Sequence, residues 1–128
     1  MNGLNGAALA YLGDAVFELE IRKLMVEAGI HRPQNLHTHV AELTSGKAQA
    51  WAFSLIESML NAHEIGFFKH GRNAKLSKKS RRASMQEAHT SSGFEAIFGG
   101  LYMQEDTARI AQLCRHIVQT KHPEFFAN

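Results

Sequence analysis

The sequence predicts an all-α single domain, and three observations carry that prediction. Apolar residues recur at helical spacing in nearly every segment. No stretch shows the strict alternation of a half-buried strand. The breaks fall at glycine, at proline and at one polar basic run. The 128 residues fit one domain with a real core, expected to span 1–128, and 45% hydrophobic against 20% charged residues exclude a disordered chain. No apolar run approaches the roughly 20 residues of a membrane span, and "MNGLNGAALA" lacks the basic start of a secretory leader. The single cysteine, Cys114, excludes an intramolecular disulfide and fits core packing in a reducing compartment. A soluble cytoplasmic protein with no membrane partner is expected.

The first helix is expected from about Leu4 to Ala28, with Leu9, Leu12, Val16 and Leu19 along one stripe and Phe17, Ile21 and Leu24 widening it. Gly29 is the expected stop, with Pro33 just beyond. A short helix follows near Asn35–Leu43. The next begins around Ser45 and carries Ala48, Trp51, Ala52, Leu55 and Leu60. Residues 62–72 form another, with Ile65, Phe67 and Phe68 on its apolar side. A basic loop occupies about 69–84. A helix over Met85–Met103 and a last one over about Glu105–Thr120 complete a helical bundle without internal repeats.

Two acidic residues sit where a helix gains nothing from them. In "ALAYLGDAVFELEIRK", residues 8–23, Gly13 costs roughly 1 kcal/mol against alanine, and Asp14 is a poor mid-helix residue. Ala7, Ala10, Asp14 and Glu18 share one face, so small side chains leave space beside the Asp14 carboxylate, and Gly13 admits a close neighbour. In "GFEAIFGG", residues 93–100, Glu95 is flanked by apolar residues and glycines. A carboxylate on an apolar stretch needs a partner, a cation or a proton. Two such groups from distant segments answer each other's need by sharing a divalent metal, and few oxygen ligands completed by water suit Mg²⁺ better than zinc. The eight histidines contain no HExxH, and His37 with His39 is read as surface or turn histidine, not as a zinc pair.

Charge is uneven. Residues 69–82, "KHGRNAKLSKKSRR", hold seven of the fourteen Lys and Arg and no acid, leaving seven bases against twelve acids elsewhere. Such a run follows phosphates and releases counterions when it meets a nucleic acid.

"YLGDAVFE" at 11–18 resembles the signature helix of the ribonuclease III family, and "GFEAIFGGLY" at 93–102 resembles its second acidic motif. More closely, "LNGAALAYLGDAVFE", "RPQNLH", "KAQA", "HGRNAK" and "SSGFEA" stand in the order and spacing of Mini-ribonuclease III, the branch with a catalytic domain and no double-stranded-RNA-binding domain. The resemblance runs from Leu4 to about Leu113. It implies a ribonuclease III-type fold in a twofold homodimer, with Asp14 and Glu95 as catalytic residues and metal ligands for Mg²⁺, Mn²⁺ being able to substitute. Glu18 is read as supporting or as a third ligand. Where larger relatives carry further acids, this chain has Ala7, Ala10 and Ser92, a thinning that the Mini branch shares.

The resemblance further implies hydrolysis of double-stranded RNA to 5′-phosphate and 3′-hydroxyl ends, in this branch on the stem of the large-subunit (23S) ribosomal RNA precursor. The basic loop would lie against the duplex. Arg72 and Lys75 are expected as first phosphate contacts, with Asn73, Lys78, Lys79, Arg81 and Arg82 beside them. Lys47 stands evenly between a second contact and a helix-surface base. The rival readings are a non-catalytic RNA-binding module of the same fold and a purely helical interaction protein. The first gives no reason to keep two unshielded acids; the second explains neither the acids nor the basic loop.

Overall fold

The computed structural model describes residues 5–74 and 85–126, and every described element is helical. Helix α1 spans Gly6–Glu27, α2 Pro33–Thr44, α3 Gly46–Ile56, α4 Ala62–Arg72, α5 Met85–Met103 and α6 Thr107–Lys121, with 3₁₀ turns at Glu57–Met59 and Pro123–Phe126. Local chemistry sets the starts. Asn5, Ser45 and Asp106 each accept a hydrogen bond from the backbone N–H three residues on. Asn61 and Glu64 form a reciprocal capping box at the head of α4. Pro33 opens α2, where its missing N–H is no loss, and the chain leaves α1 through Gly29 at φ +94°.

Helix α5 is the axis of the bundle. It packs most extensively against α1, then α4, then α3. Its Phe94 and Phe98 are fully buried and meet Phe17 of α1 at ring centroid distances of 5.0 and 5.2 Å. Phe53 of α3 stacks on Phe68 of α4 at 3.9 Å. Cys114 is buried in the same core, joined there by Ile110, Leu113 and Ile117 of α6.

The all-α prediction holds, and α5 has the bounds expected of it. Three details differ. Leu19 is 68% exposed, because the face of α1 that meets α5 runs through Gly6, Leu9, Gly13, Phe17, Ile21 and Leu24. Leu12 and Val16 flank that face and are half-buried. Trp51 is 38% exposed, and α3 ends at Ile56, so Leu60 follows the 3₁₀ turn in extended backbone. The last helix begins after Glu105, whose φ of +58° no helix accommodates. No helix among the described residues is long and apolar enough to cross a membrane.

Candidate active site

The glycine before Asp14 marks the point where two helices touch through their backbones. A Cβ on Gly13 would lie 1.6 Å from the Glu95 carbonyl oxygen, and one on Gly99 would lie 2.0 Å from the Leu9 carbonyl oxygen. No real Cβ tolerates either distance, so α1 and α5 can cross this closely only with glycine at both positions. The crossing puts Asp14 beside Glu95. Asp14 is exposed and Glu95 half-buried. Burial pushes the Glu95 carboxyl up to about 9; the facing Asp14 carboxyl adds to the rise, and the Gln49 amide opposes it.

These two carboxyls are the residues the sequence singled out, and the fold brings them together. Like charges held side by side in partial burial favour a proton or a cation between them, and two hard oxygen donors flanked by small residues suit a divalent cation that retains water. The residues present fit Mg²⁺ or Mn²⁺.

The other expected site residues lie around this pair. Glu18, one turn beyond Asp14, is in an ion pair with Arg22. Ala10 is buried and Ala7 exposed, so the small-residue face straddles the rim of the α1–α5 contact. Ser92 donates its hydroxyl to the Gly71 carbonyl at 3.0 Å, and His89 Nδ1 donates to the Arg72 carbonyl at 2.8 Å. Both bonds fasten the end of α4 to the helix that carries Glu95. Arg72 and Asn73 are exposed there, with the Arg72 guanidinium 5.5 Å from the Phe68 ring centroid. Lys75, Lys78, Lys79, Arg81 and Arg82 lie outside the described residues. Lys47 is exposed and borders a cleft with Glu42, Trp51 and Lys121.

Two features escaped the sequence reading. Gln49, in "KAQA", is 1% exposed and accepts a hydrogen bond from the Ser91 hydroxyl. A signal existed: Gln49, Ala52, Phe53 and Ile56 follow core spacing, so the glutamine faces inward. Glu64 is equally buried and takes a two-pronged bond from Arg109, at 2.7 Å to Nε and 2.9 Å to Nη2. The two are 45 residues apart, and no local pattern announces the pair. Of the histidines, His39 lies near Glu42 and His122, with Glu42 Oε1 3.0 Å from His39 Nδ1 and 3.8 Å from His122 Nε2.

The Ribonuclease III domain family matches residues 7–106. The chain is 36% identical to the Mini-ribonuclease 3 of Streptococcus pneumoniae over 93% of its own length and 94% of the relative's. It is 37% identical to that of Enterococcus faecalis over 86% and 85%, and 41% identical to that of Acholeplasma laidlawii over 77% and 79%. A crystal structure of a Fusobacterium nucleatum protein superposes with a TM-score of 0.82 at 26% identity, over 94% of this chain and 96% of that one. With its two acidic motifs meeting at one helix crossing, the chain belongs to the ribonuclease III family of endoribonucleases, in the Mini-ribonuclease III branch.

Proposed function

We propose that this chain is a Mg²⁺-dependent endoribonuclease that cuts double-stranded RNA and leaves 5′-phosphate and 3′-hydroxyl ends, with residues 1–128 forming one catalytic domain. One observation carries the reading. Asp14 and Glu95, from distant parts of the sequence, face each other, with the Glu95 carboxyl pushed up to about 9 by burial and by Asp14. Asp14 and Glu95 would hold Mg²⁺, or Mn²⁺ in its place, which when bound lowers the pKa of a water and offsets charge on the leaving 3′-oxygen. Asp14 is the exposed partner, and Glu95 is half-buried in the bundle. Glu18, held by Arg22, acts as a support.

The basic segment, about 69–84, follows the phosphates of the duplex, and A-form RNA is read mainly through shape and backbone. Arg72, Asn73 and Lys75 make the first contacts, with Lys78, Lys79, Arg81, Arg82 and Lys47 extending the track. The substrate proposed is the stem of the large-subunit (23S) ribosomal RNA precursor, in the cytoplasm. Cutting both strands needs two sites in antiparallel relation, which a twofold homodimer supplies. Tyr11, Leu19 and Val26 support that assembly: they are 85%, 68% and 53% exposed on α1, and Val26 also lines a cleft of about 350 Å³ with Leu36 and Val40.

The test is cleavage of a long RNA duplex in Mg²⁺ and in EDTA by the wild type, Asp14→Asn and Glu95→Gln. Both variants should fold and bind RNA while losing about a thousandfold or more of the metal-dependent rate. A folded, RNA-binding wild type that cuts nothing would shift the reading to a non-catalytic RNA-binding module.

A further inference from the structure

The Asp14–Glu95 pair borders a buried polar side chain. Gln49 is 1% exposed on the face of α3 that also carries Ala52, Phe53 and Ile56. A buried amide group without a partner costs about 1–3 kcal/mol, so both ends of this side chain should be satisfied. One end is: the Ser91 hydroxyl donates to Gln49 Oε1. The other end is held less closely: Gln49 Nε2 is fully buried with no hydrogen bond of ordinary length, and the Glu95 carboxyl is the group it bears on.

The geometry says where that nitrogen belongs. Ser91 and Glu95 are four residues apart on α5 and therefore lie one above the other on the same face. An amide fastened to Ser91 by its oxygen presents its N–H₂ along that face toward Glu95. The reverse orientation would set Gln49 Oε1 against the carboxylate, oxygen to oxygen. The Gln49 amide is accordingly the side chain that bears on the Glu95 carboxyl.

We propose that Gln49 is a positioning residue for cation capture: anchored by Ser91, its amide holds the Glu95 carboxylate in the orientation that ligates a divalent ion shared with Asp14. The inference rests on the metal-dependent cleavage proposed above and adds to it a pair of residues that touch neither RNA nor ion. Hydrogen bonds that orient a metal-ligating group typically change metal affinity or activity by about 10–100-fold. A leucine or methionine at position 49 would fill the space equally well but leave Glu95 free to turn.

Two variants test it. Gln49→Met keeps the length of the side chain and removes both N–H donors; Ser91→Ala removes only the anchor. Mn²⁺ binding is followed by the paramagnetic resonance signal of the free ion, beside single-turnover cleavage across a Mg²⁺ titration, duplex binding in EDTA and thermal unfolding. Gln49→Met should bind Mn²⁺ about 10–100-fold more weakly and need correspondingly more Mg²⁺. Its unfolding temperature and its RNA binding in EDTA should stay near those of the wild type. Ser91→Ala should shift the same way by a smaller factor. Mn²⁺ affinity within twofold of the wild type in the folded variants would overturn the inference, as would cleavage losses that follow unfolding temperature alone. If Gln49→Met does not fold, Ser91→Ala decides by the same criteria. A wild type that binds no Mn²⁺, or cuts in EDTA, would instead overturn the metal-dependent reading itself. A wild type that binds and cuts beside unaltered variants would remove Gln49 alone.

Discussion

Glu64 and Glu95 are both drawn out of solvent, one at the corner of α4 and α6, the other at the crossing of α1 and α5. Glu64 finds a guanidinium waiting. Burial raises its carboxyl, but the Arg109 bonds, together with the Asn61 backbone N–H, outweigh that and hold it below its ordinary value of 4.5. Arg109 also donates to the Met59 carbonyl at 2.7 Å, so the pair closes the turn between α3 and α4. Glu95 finds another carboxyl, and burial with Asp14 pushes it up to about 9. The first site carries its cation within the chain and is structural. The second sets acid against acid at a helix crossing, the kind of arrangement that perturbs carboxyls at functional sites, and it is the site proposed above to do the chemistry.

The comparison can be broken most severely at Glu64. Removing one member of a buried ion pair strands the other, so Arg109→Met should cost about 3–5 kcal/mol, read from the urea midpoint. A loss near zero would end the claim that this pair is structural. The sign with pH follows from the lowered carboxyl: its contribution is present above 4.5 and lost as pH falls through the lower value of the folded state. The gap between wild type and Arg109→Met should therefore shrink in acid. Next in size is Gly13→Ala, whose methyl would meet backbone at 1.6 Å and force α1 from α5. It should cost roughly 3 kcal/mol and lose cleavage together with stability, measured by denaturation and duplex cutting.

Glu95→Gln should do the opposite of a normal core mutation. In EDTA the raised carboxyl favours the fold fully only below 4.5, and that favour is lost as pH rises toward 9. The glutamine variant should therefore be more stable than the wild type at pH 8, by on the order of 2 kcal/mol, and level with it near pH 4. Equal stability at both pH values would show that the two carboxyls do not interact. The smallest effect sharpens the reading of Gly13. Gly66 is exposed in the middle of α4, and a methyl added there would meet nothing within 4 Å. Gly66→Ala should therefore gain about 0.5–1 kcal/mol in the same denaturation experiment.

The contrast between these glycines explains what could be read in advance. Gly13 and Asp14 interrupt a strongly apolar helix, and Glu95 interrupts another, so both were visible as departures from local preference. Helix α5 was legible to its ends because its neighbours are polar. The Glu64–Arg109 pair was hidden, since each residue looks like a surface charge until two helices meet. Gln49 was half-hidden: its inward phase could be counted, but the hydroxyl that anchors its buried amide sits 42 residues away at Ser91. Leu19 misled because α1 is apolar on two faces, and periodicity alone does not say which of them a single chain buries.

The raised carboxyl of Glu95 also makes this centre an exchanger. A carboxyl pushed up to about 9 favours its proton at neutral pH, and a divalent ion bound as proposed would have to displace that proton before the carboxylate could serve as a ligand. Each ion so taken up would release close to one proton to the buffer, and its apparent affinity would climb about tenfold per pH unit until Glu95 ionises unaided. On the metal-dependent reading proposed above, acidification would act on this molecule as magnesium starvation does, by returning the proton to Glu95.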